Sequence, residues 1–364
     1  MPMYWQLKRW QTADRHRVID HLAKLRELIA QKVPRRTASD TLLLATWNVR
    51  DFDSNKFGNG PRIAESFHYI AEIIGSFDLV AMQEVNEDMR PFEKVLDLLG
   101  PSWRYIATDV TEGPSGNGER MVFLYDSNKV QFKCIAGEIV LPESSEIDKK
   151  QFARTPFLVR FQSGWFKFNL CTVHLYYGDT SGAGYERRVK EIDAIAGFLK
   201  KRAEKDGQNY ILLGDMNVVS PDDDTMKALT KHEFVLPKDL VLDSAELQWA
   251  SNMGGDKHYD QIAFLCRKDE LELAAGPNNA GVFNYYGAVY TEGEAETYYP
   301  LGKANGQWPD AAAERPKYYA KEWRTWQMSD HLPLFVELKI DFTDKYLKRI
   351  RENAQPIDPP TPDA

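Results

Sequence analysis

The sequence predicts an α/β (α+β) fold of two packed, mostly antiparallel β-sheets with helices on the outer faces. Three observations carry that prediction. Apolar runs of strand length recur along the chain, several of them separated only by a loop. Too few helical stretches lie between them to wind a single parallel sheet. The polar residues that interrupt the apolar texture fall at the ends of those runs. A chain of 364 residues, 43% of them hydrophobic, is long enough for one large domain or two small ones.

Residues 13–32 (ADRHRVIDHLAKLRELIAQK) set Val18, Leu22, Leu25 and Ile29 at helical spacing among charges. That stripe must be covered, by the rest of the chain in preference to a second subunit, so a monomer is expected. VPRRTASD ends the helix, and 1–40 reads as an amphipathic N-terminal extension. The main domain, 41–340, opens with strand TLLLATWNV, helix PRIAESFHYIAEII, strand DLVAMQEV and helix PFEKVLDLL. RMVFLYD, TPFLVRF, WFKFNLCTVHL, NYILLGDMN, YDQIAFL and LPLFVELKI read as further strands. GYERRVKEIDAIAGFLKKRAEK is a helix with Val189, Ile192, Ile195 and Leu199 on one side. The DDD at 222–224 reads as the N-terminus of the next helix, where carboxylates favour free N–H groups. Residues 276–325 are irregular and rich in Tyr, Trp, Gly and Pro, which predicts a loop insertion. Residues 341–364 form a C-terminal tail.

The 46 Lys and Arg against 54 Asp and Glu leave a net charge of -8, which excludes broad, salt-sensitive attraction to nucleic acid. Phosphate chemistry would have to depend on a local site, with metal ions or a few arginines offsetting the repulsion. No apolar run approaches the roughly eighteen residues of a membrane span, and the start MPMYWQLKRWQTADRH lacks a secretory apolar stretch. Cys134, Cys171 and Cys266 are far apart and lack metal-ligand spacing, which points to a reducing, cytoplasmic compartment.

The informative regularity is where polar residues meet strands. Asn48 follows LLLATW, Glu84 follows DLVAMQ, and His174 lies in the run FNLCTVHL. Asp215 and Asn217 follow YILLG, Asp260 opens DQIAF, and Asp330 and His331 precede LPLFVEL. Any one of these could simply make a turn. Eight such groups on six segments are hard to credit to turn chemistry, and strands of two sheets can aim their ends at one cavity. Glu84 and Asp330, with Asn48, Asp215 and Asn217, are hard oxygen donors suited to Mg²⁺ or Mn²⁺. His174 and His331 have carboxylates available in Glu119 and Asp260, and an imidazole held that way can move a proton near neutral pH. Phosphodiester hydrolysis needs this equipment.

TWNVRDFD, MQEVNED, GERMVFLYDSNKV, TVHL, GDMN, YDQI and SDH resemble, in order, the motifs of the endonuclease/exonuclease/phosphatase superfamily, with the deoxyribonuclease I-like branch nearest. The resemblance spans Thr46 to His331. It implies a four-layered α/β sandwich and a metal-dependent phosphoesterase, with 41–340 as catalytic domain. Carried over, Glu84 matches the principal metal-binding carboxylate, and Asn48 an amide that positions metal or phosphate. Asp215 and Asn217 match a pair contacting metal and scissile phosphate. His174 matches a histidine paired with Glu119, Asp260 the carboxylate that orients His331, Asp330 a metal-side carboxylate, and Arg154 a phosphate-contacting arginine. Two contacts of that branch are replaced, by Asn86 and Asn117.

The leading expectation is a Mg²⁺-dependent endonuclease acting on DNA. The alternatives are a phosphatase or phosphodiesterase for a small-molecule or lipid-head-group phosphate, and an inactive binding member. Arg50, Arg120 and Arg154 are candidates for a basic track beside the site, and Tyr285, Tyr286, Trp323 or Trp326 for an aromatic wall over it.

Overall fold

Along β1 (Thr41–Phe52) successive side chains enter different cores: Leu42 and Leu44 one, Leu43, Ala45, Trp47 and Val49 another. The period of two sends them to opposite faces, and both faces are covered, so the strand reads as a continuous apolar run. The same split places Ile211 and Leu213 of β8 (Tyr210–Asp215) against the facing sheet and Leu212 under helices.

The computed structural model describes residues 2–352 apart from 56, 60, 112–116, 179, 238–249, 268, 269, 306 and 307. Besides β1 and β8 its strands are β2 (Leu79–Asn86), β3 (Trp103–Ala107), β4 (Glu119–Asp126), β5 (Gln131–Glu138), β6 (Phe157–Ser163), β7 (Phe166–His174), β9 (Asp260–Leu265), β10 (Ala280–Val282) and β11 (Leu334–Lys339). They form two mixed sheets, in the orders β10-β11-β1-β2-β4-β3 and β5-β6-β7-β8-β9. Among the described residues, only β1/β2 and β7/β8 pair in parallel, and the other strand pairings are antiparallel. One core lies between the sheets. A second lies between the first sheet and α1 (Thr12–Lys32), α2 (Ala64–Ile74) and α3 (Arg90–Leu99), and a third between the second sheet and α4 (Gly182–Asp206) and α5 (Asp224–Thr230). The result is the expected four-layered sandwich. Among the described residues, no helix is long and apolar enough to cross a membrane.

The strands that were not expected, β3, β5 and β10, all stand at a sheet edge. An edge strand buries less of itself, and β5 is mostly exposed, so it carries no apolar run to read. The α1 stripe is covered by the chain itself: Val18 and Leu25 are fully buried and Leu22 nearly so, each worth about 1.5–3 kcal/mol relative to exposure. The Asp223 side chain caps α5 by accepting from the Thr225 and Met226 amides.

The segment 276–325 corrects the sequence-based expectation. It is largely structured: β10, α6 (Ala295–Asn305) and a helical run 315–327 (α7) with a π turn at Tyr319–Trp323. Tyr285, Tyr286 and Trp323 are buried in the core they share with α1 and α2 and form no wall over a site. Aromatic residues there cover the α1 stripe and are covered by it, a reciprocal burial with no local pattern. Of the expected tail, α8 (Thr343–Glu352) is described, and 353–364 lie outside the described residues.

Candidate active site

Strand direction assembles the site. The two parallel pairs bring the C-terminal ends of β1, β2, β7 and β8 to one rim, with Asn48 opposite Gln83 and His174 opposite Asp215. The antiparallel neighbours β4 and β9 begin at that rim, so their first residues, Glu119 and Asp260, arrive there too, paired with Asn86 and Asp215. His331 enters just ahead of β11. The backbone is specialised where the strands end: Glu84 and Asn217 have φ of 61° and 51°, in the left-handed region that re-aims a side chain. A Cβ on Gly214 would lie 2.1 Å from the Val173 carbonyl oxygen, so only glycine lets β8 approach β7 this closely.

At the centre, the Asn48 amide nitrogen donates to Glu84 Oε1 at 2.8 Å and to Asp215 Oδ2 at 2.9 Å. The second Glu84 oxygen accepts from the Asp51 amide at 2.8 Å, and Asp215 Oδ1 from the Asn217 amide at 3.0 Å. Two imidazoles approach from either side. His331 Nδ1 is 2.8 Å from Asp260 Oδ2, and its Nε2 is 3.8 Å from Asp215 Oδ2. His174 Nδ1 is 3.0 Å from Glu119 Oε2, and its Nε2 is 3.6 Å from Asp215 Oδ2 and 3.8 Å from Glu84 Oε1. The distal nitrogens therefore face one carboxylate without bonding it. Glu84, Glu119 and His174 form one group able to hold a metal ion, and Asp215, Asp260 and His331 a second.

Burial raises the Glu84 carboxyl pKa, and Glu119 adds to this. Glu119 is itself buried, but His174 and Arg154 outweigh that and hold its pKa down to about 2. Burial opposes a charged His331, yet Asp260 and Asp215 prevail and raise its pKa well above the usual imidazole range.

Eight of the ten expected site residues thus converge: Asn48, Glu84, Glu119, His174, Asp215, Asn217, Asp260 and His331. Arg154 lies behind the ring, 6% exposed, with Nε donating to Glu119 Oε2 at 2.9 Å. Asp330 lies at its mouth, its side chain 45% exposed and 3.8 Å from Arg50 Nε. The expected basic track is largely spoken for. Arg50 stacks on Trp326, 3.8 Å from its centroid, and Arg120 donates to the Thr108 carbonyl and Asp109.

Several residues that hold the site were not foreseen. Ser329 Oγ donates to the Asn48 carbonyl and accepts from the His331 amide. The Tyr285 and Tyr286 hydroxyls donate to the Ser329 carbonyl at 3.1 and 2.7 Å, and Tyr285 also reaches the His331 carbonyl. Arg62 donates to the carbonyls of Val49, Arg50, Asp51 and Met328, tying the end of β1 to the loop before His331. Each acts through backbone carbonyls, which leave no trace in side-chain pattern. Only Ser329, next to Asp330, carried a positional hint.

Residues 45–269, more than half the chain, match the model of the Endonuclease/Exonuclease/phosphatase family. The chain belongs to that family. Members of the family are hydrolytic phosphoesterases, and this chain has the phosphoesterase fold. Among solved structures, family-fold neighbours include ANGEL2, a 2',3'-cyclic phosphatase, at 11% identity, TM-score 0.52, covering 85% of this chain and 99% of that one. D. rerio TDP2 complexed with single strand DNA product follows at 13% identity, TM-score 0.51, covering 82% and 98%. The mannosyl-6-phosphatase of Bacteroides thetaiotaomicron VPI-5482 is 15% identical, TM-score 0.50, covering 82% and 99%. At these identities the likeness is one of fold. No curated protein matches the chain by sequence.

Proposed function

We propose that the chain is a metal-dependent phosphodiester hydrolase, an endonuclease that cleaves DNA by attack of activated water on phosphorus. The observation that carries this reading is the convergence of both distal imidazole nitrogens on Asp215 while each proximal nitrogen faces its own carboxylate. A divalent cation fits the donor set. Asn48 turns its nitrogen to two carboxylates and leaves Oδ1 buried without a donor, and the neighbouring oxygens of Glu84 and Asp215 are hard ligands. Glu84, Asn48 and Asp215 would hold Mg²⁺ or Mn²⁺, with Asp330 at the open side. The bound ion supplies positive charge against the oxyanion that develops on phosphorus.

The remaining work falls to the chain's own groups. Asp215 is the acceptor for the proton of the attacking water. His331, kept as imidazolium by Asp260 and Asp215, donates to a phosphoryl oxygen. His174, oriented by Glu119, works on the opposite side, near the leaving oxygen, and Asn217 offers an amide to the phosphate. Arg154 acts through Glu119, keeping it ionised. In this reading 41–340 is the catalytic unit and α1 buttresses it.

The net charge of -8 favours a second reading, hydrolysis of a small phosphoester. Supercoiled plasmid with Mg²⁺, run beside a panel of small phosphodiesters and phosphomonoesters and with Asp215→Ala as control, decides between them. Nicking by wild type and not by the variant is the expected result. Small-ester hydrolysis with plasmid left intact overturns the nuclease reading.

A further inference from the structure

We infer that Glu191, a buried carboxylate on α4, is a positioning residue for His174: it fixes the backbone at both ends of the series of contacts that sets the imidazole. The inference rests on the phosphoesterase reading of the ring and holds for either substrate class.

Glu191 is fully buried and belongs to neither metal-capable group of the ring. Its helix neighbours Ile192, Ile195 and Leu199 enter the core beneath the second sheet. The carboxylate takes three donors. Oε2 accepts from the Tyr176 amide at 2.9 Å, and Oε1 from the Ala153 amide and from Arg187 Nε, both at 3.1 Å. Tyr176 stands two residues beyond His174, and Ala153 stands next to Arg154. From there the contacts close on themselves. Arg154 Nε donates to Glu119 Oε2 at 2.9 Å, that oxygen is 3.0 Å from His174 Nδ1, and the backbone leads from His174 back to Tyr176. Leu175, between the two, bonds the Asp215 carbonyl and Asn217, which fixes the stretch along β8. The Tyr176 amide fixes it against α4.

Burial raises the Glu191 pKa, and the Tyr176 and Ala153 amides and Arg187 work against that rise. A buried carboxylate costs stability unless its oxygens are matched, so packing alone would be served by an apolar side chain. What the carboxylate adds is two acceptors on a helix, one for the stretch before β6 and one for the stretch after β7. Either amide set free would let its backbone shift, and a misplacement of about an ångström at a catalytic group can cost roughly 10²-fold in rate. His331 has other supports: its loop is tied by Ser329, Tyr285 and Tyr286. The two imidazoles are therefore held separately, and loss of Glu191 should disable one of them alone.

The test is a double-mutant cycle on whichever substrate, plasmid or small ester, the wild type hydrolyses with Mg²⁺. Glu191→Gln keeps the size of the side chain but accepts through one atom, so it strands one of the two amides. It is expected to lower kcat on the order of tenfold with KM unchanged, and Glu191→Ala on the order of a hundredfold. In a His174→Ala background Glu191→Gln should cost less than about twofold more, because the group it positions is gone. In a His331→Ala background it should keep its full effect. A merely structural role would slow the enzyme alike in every background. The cycle is run with Glu191→Gln, so it does not depend on whether Glu191→Ala folds. A tenfold further loss in the His174→Ala protein, or wild-type kcat in Glu191→Gln, overturns the inference while the phosphoesterase reading stands. Hydrolysis of neither plasmid nor any ester by wild type removes that reading and this inference with it.

Discussion

Two of the molecule's histidine–carboxylate pairs have the same geometry and different surroundings. In the ring, His331 is 2.8 Å from Asp260; where α1 and α2 meet the 276–325 segment, His21 is 2.8 Å from Glu294. The second pair is closed. Its other nitrogen meets the Tyr69 hydroxyl at 3.0 Å, and Glu294 also accepts from the Thr291 amide and hydroxyl. Glu65 beside it accepts from Arg17 and Tyr298. The first pair is open: His331 Nε2 finds only Asp215 at 3.8 Å, and Asp260 Oδ1 and Asn48 Oδ1 are buried without a donor. A buried polar network with every partner present rigidifies a core, whereas one with partners withheld costs stability and is poised for a ligand. The histidine–carboxylate distance does not separate the two regions. The state of the far nitrogen does.

The sharpest way to break this contrast is Glu84→Ala. Burial and Glu119 both disfavour the charged Glu84 carboxylate, so its removal should leave the unfolding midpoint unchanged or raise it, as at other strained functional sites. Turnover with saturating Mg²⁺ should fall by about 10²–10³-fold or more. Unimpaired turnover, or a collapse of the fold, would contradict its assignment to the open ring.

Next in size is the behaviour of the two pairs under double mutation. Asp260→Asn and His331→Ala should each cost about 10²–10⁴-fold in rate, and together little more than either alone, because Asp260 acts by orienting and charging the ring. At the closed pair, His21→Ala should cost about 1–3 kcal/mol in urea unfolding by stranding Glu294 and Tyr69, with kcat unaltered. Multiplicative rate losses in the ring, or a kcat change at the closed pair, would erase the distinction.

The smallest effect concerns a third histidine, which lacks a carboxylate. His68 is 2% exposed between Tyr4 and Trp10, and burial lowers its pKa from 6.5 to about 4. The unfolded chain takes up the proton near 6.5 and the folded chain only near 4. The stability this site contributes is thus complete above pH 6.5 and lost as pH falls toward 4, at most about 3 kcal/mol. His68→Phe should abolish that part of the acid sensitivity. Urea midpoints of both proteins at pH 7 and 4.5 measure it; identical pH slopes would show that His68 is protonated in the fold.

Read from the sequence, the ring was accessible because its chemistry coincides with punctuation. Asn48, Glu84, His174, Asp215, Asp260 and His331 stand where apolar runs begin or end, and the runs are visible because those strands are buried on both faces. The same property hid β3, β5 and β10, whose edge positions remove the two-sided burial that writes a signal into sequence.

By itself, then, the sequence determined the two sheets, the α1 stripe and the set of groups that could do phosphoester chemistry, because each depends on local periodicity or on residue type at a strand end. The tertiary structure alone decided what those groups face. Arg154 spends its Nε on Glu119 from 35 positions away, Tyr285 and Tyr286 hold the loop of His331 from beneath, and His21 meets Glu294 across 273 positions. Contacts of that separation are made by packing, which brings side chains together with no regard for their spacing along the chain. They settle whether a histidine beside a carboxylate is closed into the core or left open to a substrate.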